Sequence, residues 1–176
     1  ELRWAKKTLN RMTLEEKIGQ MNQSVAREGI QDQIRNGEIG AILTLPYVEM
    51  INELQEIAVQ ESRLGIPIIF GFDVIHGCRT VFPIPLAEAC TWDPDLVEEA
   101  ERVAAIEAAT YGFDWIFAPM VDVSRNPRWG RVAEGSGADP FLGEAMAHGM
   151  LPGVATAALL GLPTVFGAAV SAVVMT

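Results

Sequence analysis

The sequence predicts an α/β protein in which parallel strands alternate with helices, and three observations carry that prediction. Apolar runs at 41–45, 66–72 and 115–121 are short and nearly unbroken by polar residues, the pattern of parallel strands covered on both faces. Segments with helical spacing stand before and between them, giving the order helix, strand, helix, strand, helix, strand. Polar residues gather just after 66–72 and 115–121, at the carboxyl ends of strands, where loops converge on ligands in parallel α/β sheets.

Taken in order, residues 3–21 read as helix interrupted near Met12 and Thr13. Thr13 followed three positions later by Glu16 is a capping box that restarts the helix, and Ile18 and Met21 give the restarted part an apolar face. Gly37-Glu38-Ile39-Gly40 leads into the strand at 41–45, and Pro46 stops it. Over 48–63, Ile51, Leu54, Ile57 and Ala58, continued by Leu64, repeat as one buried helical stripe, with Gly65 where a helix-ending glycine belongs. The strand at 66–72 follows at once. Asp93 and Pro94 then stand as N-cap and first helical residue, and Leu96, Val97, Ala100, Val103, Ala104 and Ala108 form the buried side of a helix that Tyr111-Gly112 closes. The strand at 115–121 comes next. Loops 76–89 and 124–140 are longer than compact domains use without purpose, and their Arg, Trp and Asp content favours function.

The 176 residues suit one domain with a real core. With 23 acidic against 13 basic residues, the formal charge of −10 disfavours nucleic acid and anionic membranes as partners. Cys78 and Cys90 form no C-x-x-C pair and read as free thiols. Gly135-Ser136-Gly137 lacks nucleotide-loop spacing, and no serine sits in a G-x-S-x-G elbow, so no cofactor is expected. The chain opens at Glu1 without Met or a secretory pattern, which suggests a trimmed or processed chain, or one cut from something longer. After Met150 the composition changes, and 151–176 holds no charged residue. This divides the expected organisation into 1–150 and an uncharged tail, which reads as a further helix and strand of the core. The alternatives for it are a membrane span, weakened by Pro163, and a disordered tail.

The site candidates lie at the two strand ends. Asp73 can accept hydrogen bonds from substrate hydroxyls or act as a catalytic carboxylate; the plain alternative is a carboxylate capping the next turn. His76 stands three residues on, but the pair lacks a third ligand at metal-site spacing, so no metal is expected. Arg128 and Arg131 flank Trp129-Gly130. Their planar forks suit carboxylates and sugar hydroxyls, and Trp offers a flat face to a sugar ring. Either arginine can equally be held in an ion pair with Asp122, Glu134 or Asp139. His148 reads as structural.

At these residues the chain resembles the N-terminal domain of family 3 glycoside hydrolases, the β-glucosidase and β-xylosidase group. Arg11-Met12-Thr13-Leu14-Glu15-Glu16-Lys17-Ile18-Gly19-Gln20-Met21 is similar to the family's opening helix. Arg63-Leu64-Gly65-Ile66-Pro67, Asp73-Val74-Ile75-His76-Gly77, Thr80-Val81-Phe82-Pro83 and Ala118-Pro119-Met120-Val121-Asp122-Val123 through Arg131 follow its pattern, over roughly residues 3–150. Ala138 departs from it, standing where the family generally has Glu beside Asp139.

The resemblance implies an incomplete (β/α)8 TIM-type barrel and a retaining mechanism. It assigns Asp73 and Arg131 to binding sugar hydroxyls in the −1 subsite; His76, Asp122 and Arg128 are weaker, site-supporting candidates. It implies a β-glucoside or oligosaccharide as partner and a periplasmic or secreted parent. The nucleophile, a Lys-His pair and the acid/base fall later in the family, and 151–176 contains no Lys, His, Asp or Glu. The expectation is therefore a fragment of a β-glucosidase-type exo-glycosidase whose parent hydrolyses terminal β-linked glucose or xylose, the fragment contributing sugar binding in the −1 subsite and itself inactive. Alternatives are a non-catalytic carbohydrate-binding piece and an interaction-only piece that self-associates through an open sheet edge.

Overall fold

The computed structural model describes residues 2–44 and 46–159, and chain contacts divide into two compact units between Gly71 and Phe72. In the first unit, helices α1 (Leu2–Leu9) and α2 (Leu14–Gln20) precede β1 (Gln23–Val25), α3 (Ile30–Arg35), β2 (Ala41–Leu43) and α4 (Val48–Glu56). β3 (Ile69–Phe72) completes it and reaches one residue into the second unit. The strands pair in parallel: Gln23 lies opposite Ala41, and Ala41 opposite Ile69.

The capping box forms as the sequence implies. The Thr13 N–H donates to Glu16 Oε2 at 2.8 Å, and the Glu16 N–H donates to Thr13 Oγ1 at 3.2 Å. Arg63 Nε donates to the other Glu16 oxygen at 2.8 Å and Nη2 to Oε2, while Nη2 also reaches the Arg11 carbonyl at 2.9 Å. Hydrogen bonds from Arg63 and then from the Thr13 N–H hold the Glu16 carboxyl below the usual range. Glycine stands at position 19, in the last turn of α2, because a Cβ there would lie 1.9 Å from the Gly37 carbonyl oxygen, a close approach only glycine permits. The core is built from Ile30, Ile34, Ile39, Ile42, Ile51, Leu54, Ile68 and Phe70, all buried.

Two readings of this unit are corrected, and two elements are new. Ile18 and Met21 are exposed, together with Leu14, so the α2 stripe faces solvent rather than the core. The helix read to residue 63 stops as α-helix at Glu56 and widens into a π-helical turn, Ile57–Glu61. β1 and α3 were not legible: the Gln23–Val25 strand is short and half-polar, and α3 begins after Gly29 in a left-handed conformation (φ +81°) that masks its start.

The strands are shorter than the apolar runs. Pro67 has no N–H to give a ladder, and at Ile68 the Gln55 side chain stands in for a neighbouring strand. Its Oε1 accepts the Ile68 N–H at 2.8 Å and its Nε2 donates to the Ile68 carbonyl at 3.0 Å. The run at 115–121 contains Pro119 and forms only the two-residue β4 (Trp115–Ile116).

In the second unit, the Phe72 carbonyl at the end of β3 accepts the Phe117 N–H at 3.1 Å, and the Phe72 and Phe113 rings stack 4.9 Å apart. With β1, β2 and β3 pairing in parallel between helices, the α/β reading with parallel strands holds. A short helix, α5 (Pro85–Ala89), lies inside the loop read as irregular. α6 (Pro94–Thr110) starts as the sequence says, with Asp93 Oδ1 accepting the Leu96 N–H at 3.2 Å.

α7 (Pro140–Leu159) packs along α6 through Val97, Ala145 and Met146. A Cβ on Gly149 would lie 2.2 Å from the Glu98 carbonyl oxygen and 2.8 Å from Glu101 Cβ, so these two helices lie nearly in backbone contact. The helix read at the start of 151–176 continues α7 to Leu159; the strand read after it falls outside the described residues. No described helix is long and apolar enough to cross a membrane.

Candidate functional site

Two loops of the second unit carry every site residue named from the sequence. The first leaves β3 at Asp73. Val74 beside it is completely buried and fixes the backbone, while Asp73 itself is exposed and accepts no hydrogen bond among the described residues. The turn-capping alternative is therefore not what this carboxylate does.

The loop then closes on itself. The Phe82 N–H donates to the His76 carbonyl at 2.9 Å, and His76 Nδ1 lies 3.2 Å from the Phe82 carbonyl. A carbonyl can only accept, so Nδ1 is the donor in this contact. Gly77 is needed at the bend: its φ is +111°, and a Cβ would lie 2.0 Å from the Thr80 carbonyl oxygen.

The second loop rises beyond β4 and is closed at its base, where Met120 bridges Gly135 and the Ser124 N–H donates to the Gly137 carbonyl at 2.7 Å. Its tip is shaped by Asn126, whose Oδ1 accepts the Arg128 N–H at 3.0 Å and whose carbonyl accepts the Trp129 N–H at 3.1 Å. This is the turn chemistry expected of Asn before Pro.

Arg131 makes a two-pronged contact with Glu134, Nε to Oε1 at 3.0 Å and Nη2 to Oε2 at 2.7 Å. Of the alternatives the sequence left open, Glu134 is the ion-pair partner. The pair is three residues apart and well exposed, and such pairs contribute little to stability. The Glu134 hydrogen bonds chiefly strengthen the guanidinium's hold on its proton, and the charges of Asp122 and Asp73 add to them. Asp73, Asp122 and Arg131 thus share one electrostatic neighbourhood. Arg128 is exposed, with no side-chain partner among the described residues.

Two further acids were not singled out from the sequence. Glu88 on α5 and Glu101 on α6 are buried. Glu101 Oε2 has no hydrogen-bond partner among the described residues, and burial, reinforced by the charge of Glu88, pushes its carboxyl up to about 8. Burial raises Glu88 as well, against the opposing pull of His76. Glu101 was detectable in principle, because it falls in the buried stripe Val97, Glu101, Ala104, Ala108. Among the described residues no group of three His, Cys, Asp or Glu is placed to hold a metal ion.

Comparison with known proteins gives the arrangement a context. The sequence profile of the Glycosyl hydrolase family 3 N terminal domain matches residues 13–171. A periplasmic beta-glucosidase of Salmonella typhimurium is 45% identical over 148 residues, covering 81% of this chain and 19% of that protein. A Listeria innocua beta-glucosidase crystallised with glucose superposes with a TM-score of 0.74 at 36% identity, over 88% of this chain and 24% of its own. The same enzyme with isofagomine gives 0.73 and 35%, over 88% and 23%. The chain therefore spans about a fifth to a quarter of the length of these relatives.

Proposed function

The chain belongs to the family of glycosyl hydrolase family 3 N-terminal domains, and from that premise we propose that it supplies the sugar-binding side of a β-glucosidase-type −1 subsite. Asp73 accepts hydrogen bonds from hydroxyls of a terminal β-linked glucose or xylose, and Arg131 donates to the same ring after releasing Glu134. His76 and Asp122 support the two loops, and Arg128 adds a further donor at the tip of the second.

The observation that carries this reading is the state of Asp73. It follows a buried strand, is exposed, and has no hydrogen-bond partner among the described residues. A carboxylate with acceptor capacity unspent, beside an arginine whose pairing is labile, matches the donor and acceptor pattern of a sugar's vicinal hydroxyls. The relatives crystallised with glucose and isofagomine support the ligand class.

Retaining hydrolysis needs a nucleophile and an acid/base about 5 to 5.5 Å apart across the glycosidic bond. The chemistry read from the sequence assigns neither role to these residues, so the 176-residue chain binds sugar and leaves the bond intact. The test is thermal melting with glucose or isofagomine, where a ligand of the folded state raises the melting temperature in proportion to ln(1 + [L]/Kd). The wild-type chain is expected to shift and Asp73→Ala to lose the shift; no wild-type shift at millimolar ligand refutes the site. Nitrophenol released from an aryl β-glucoside, and abolished by Asp73→Ala, refutes the claim of inactivity.

A further inference from the structure

The loop between β3 and α5 carries Asp73 and His76, yet its tip is tied by a residue far along the chain. Glu107, half-buried on α6, reaches it with both oxygens. Oε2 accepts the backbone N–H groups of Arg79 at 2.8 Å and Thr80 at 2.7 Å, and Oε1 accepts the Thr80 hydroxyl at 2.7 Å.

We propose that Glu107 is a positioning residue for the sugar-binding loop, a carboxylate clamp on residues 79 and 80 that holds Asp73 and His76 in their binding arrangement. This inference rests on the sugar-site reading of those two residues.

The argument is one of freedom removed. Between Asp73 and Pro85 the backbone has no helix and only isolated bridges, Ile75 with Gly77 and Gly77 with Val81. The base is closed by the His76 and Phe82 contacts, but the two successive N–H groups at the tip point outward, and no carbonyl of the loop meets them. A single carboxylate satisfies both and the neighbouring hydroxyl, and hydrogen bonds to an ionised acceptor are stronger than neutral ones. Glu107 can serve as an anchor because its helix is immobilised by Ala104, Ala105 and Ala108, all buried. A loop ordered before the ligand arrives spares binding the cost of ordering it. Burial opposes the charge of Glu107, but the donors of Thr80 and Arg79 outweigh it and hold the carboxyl below the usual range.

The type of residue matters. Glutamine keeps one oxygen for the two N–H groups and can turn its amide N–H toward the Thr80 oxygen, so it preserves the geometry without the charge. Alanine preserves nothing.

The experiment is amide hydrogen exchange of the 176-residue chain combined with calorimetric titration of isofagomine. Glu107→Ala is expected to free the Arg79 and Thr80 amides while α6 stays protected, and to weaken isofagomine binding about tenfold through lost preorganisation. Glu107→Gln is expected to recover most of both, which a loss of general stability does not explain. Unchanged exchange at residues 79 and 80 in the alanine variant overturns the clamp; freed amides with wild-type affinity overturn the positioning role. If Glu107→Ala does not fold, Thr80→Val removes one contact and leaves α6 intact. Faster exchange at residue 80 then supports the clamp, and no change overturns it. A wild-type chain that binds no isofagomine refutes the sugar site instead, and the exchange data still decide the clamp.

Discussion

Replacing Glu101 with glutamine isolates the energetic effect of a buried acid. In the folded chain burial and the charge of Glu88 push the Glu101 carboxyl from the ordinary 4.5 up to about 8. Between these values the folded state keeps a proton that the unfolded state has already released. Unfolding stability therefore falls as pH rises through this window. At about 1.4 kcal/mol per pH unit, the span amounts to on the order of 5 kcal/mol, comparable to the lower end of an ordinary domain's total stability. Glutamine is neutral at every pH and nearly isosteric with the protonated acid. The two proteins should match near pH 5 and diverge steadily, the variant becoming the more stable by several kcal/mol at pH 8.

Urea titrations at unit steps from pH 5 to pH 8 read this directly, as a growing gap in midpoint at unchanged slope. Glu88, which burial also raises, is present in both proteins, whereas Glu16, Glu99, Glu107 and Glu134 are shifted downward. Their contributions are present above the unfolded value and disappear only as pH falls below the window. Parallel profiles for wild type and Glu101→Gln across pH 5 to 8 would refute the assignment of a buried, protonated Glu101.

Gly149→Ala should lower the melting temperature even though alanine favours helix by about 1 kcal/mol, because its Cβ would meet the Glu98 carbonyl at 2.2 Å and overpacking typically costs about 1–3 kcal/mol; a raised melting temperature would mean that α6 and α7 separate without cost. Thiol labelling at pH 8 should show one fast and one slow cysteine. Cys90 is exposed, whereas burial, aided by the charge of Glu107, pushes the Cys78 thiol up to about 11 and starves it of thiolate. Equal labelling rates in the folded chain would contradict that burial, and Cys90→Ser should abolish only the fast phase.

What could be read from the sequence was local in origin. The Thr13 and Glu16 box and the Asp93-Pro94 helix start depend on residues one to three positions apart, and both form as read. Strand lengths were overestimated because an apolar run records burial, whereas a ladder also needs N–H groups that Pro67 and Pro119 lack. α5 escaped notice because five residues are too few to display a period. In the site, the residue types after β3 and β4 were legible, and so was the choice of partners open to Arg131. The decision for Glu134 was a matter of geometry. The Glu107 clamp spans 27 and 28 residues, and no local pattern marks such a contact.

Glu16 is counted twice in the first unit, once in the start of α2 and once in the grip on Arg63. Residues that draw on the same carboxylate cannot be scored as independent. Damage at Thr13 leaves Glu16 still tethered by Arg63, damage at Arg63 leaves it still tethered by Thr13, and the second injury removes what the first spared. In a double-mutant cycle the pair Thr13 and Arg63, which share no contact of their own among these hydrogen bonds, should show a coupling energy. Contacts that look dispensable one residue at a time then matter as a set. Sequence drift in this part of the chain is constrained by the order in which substitutions arrive.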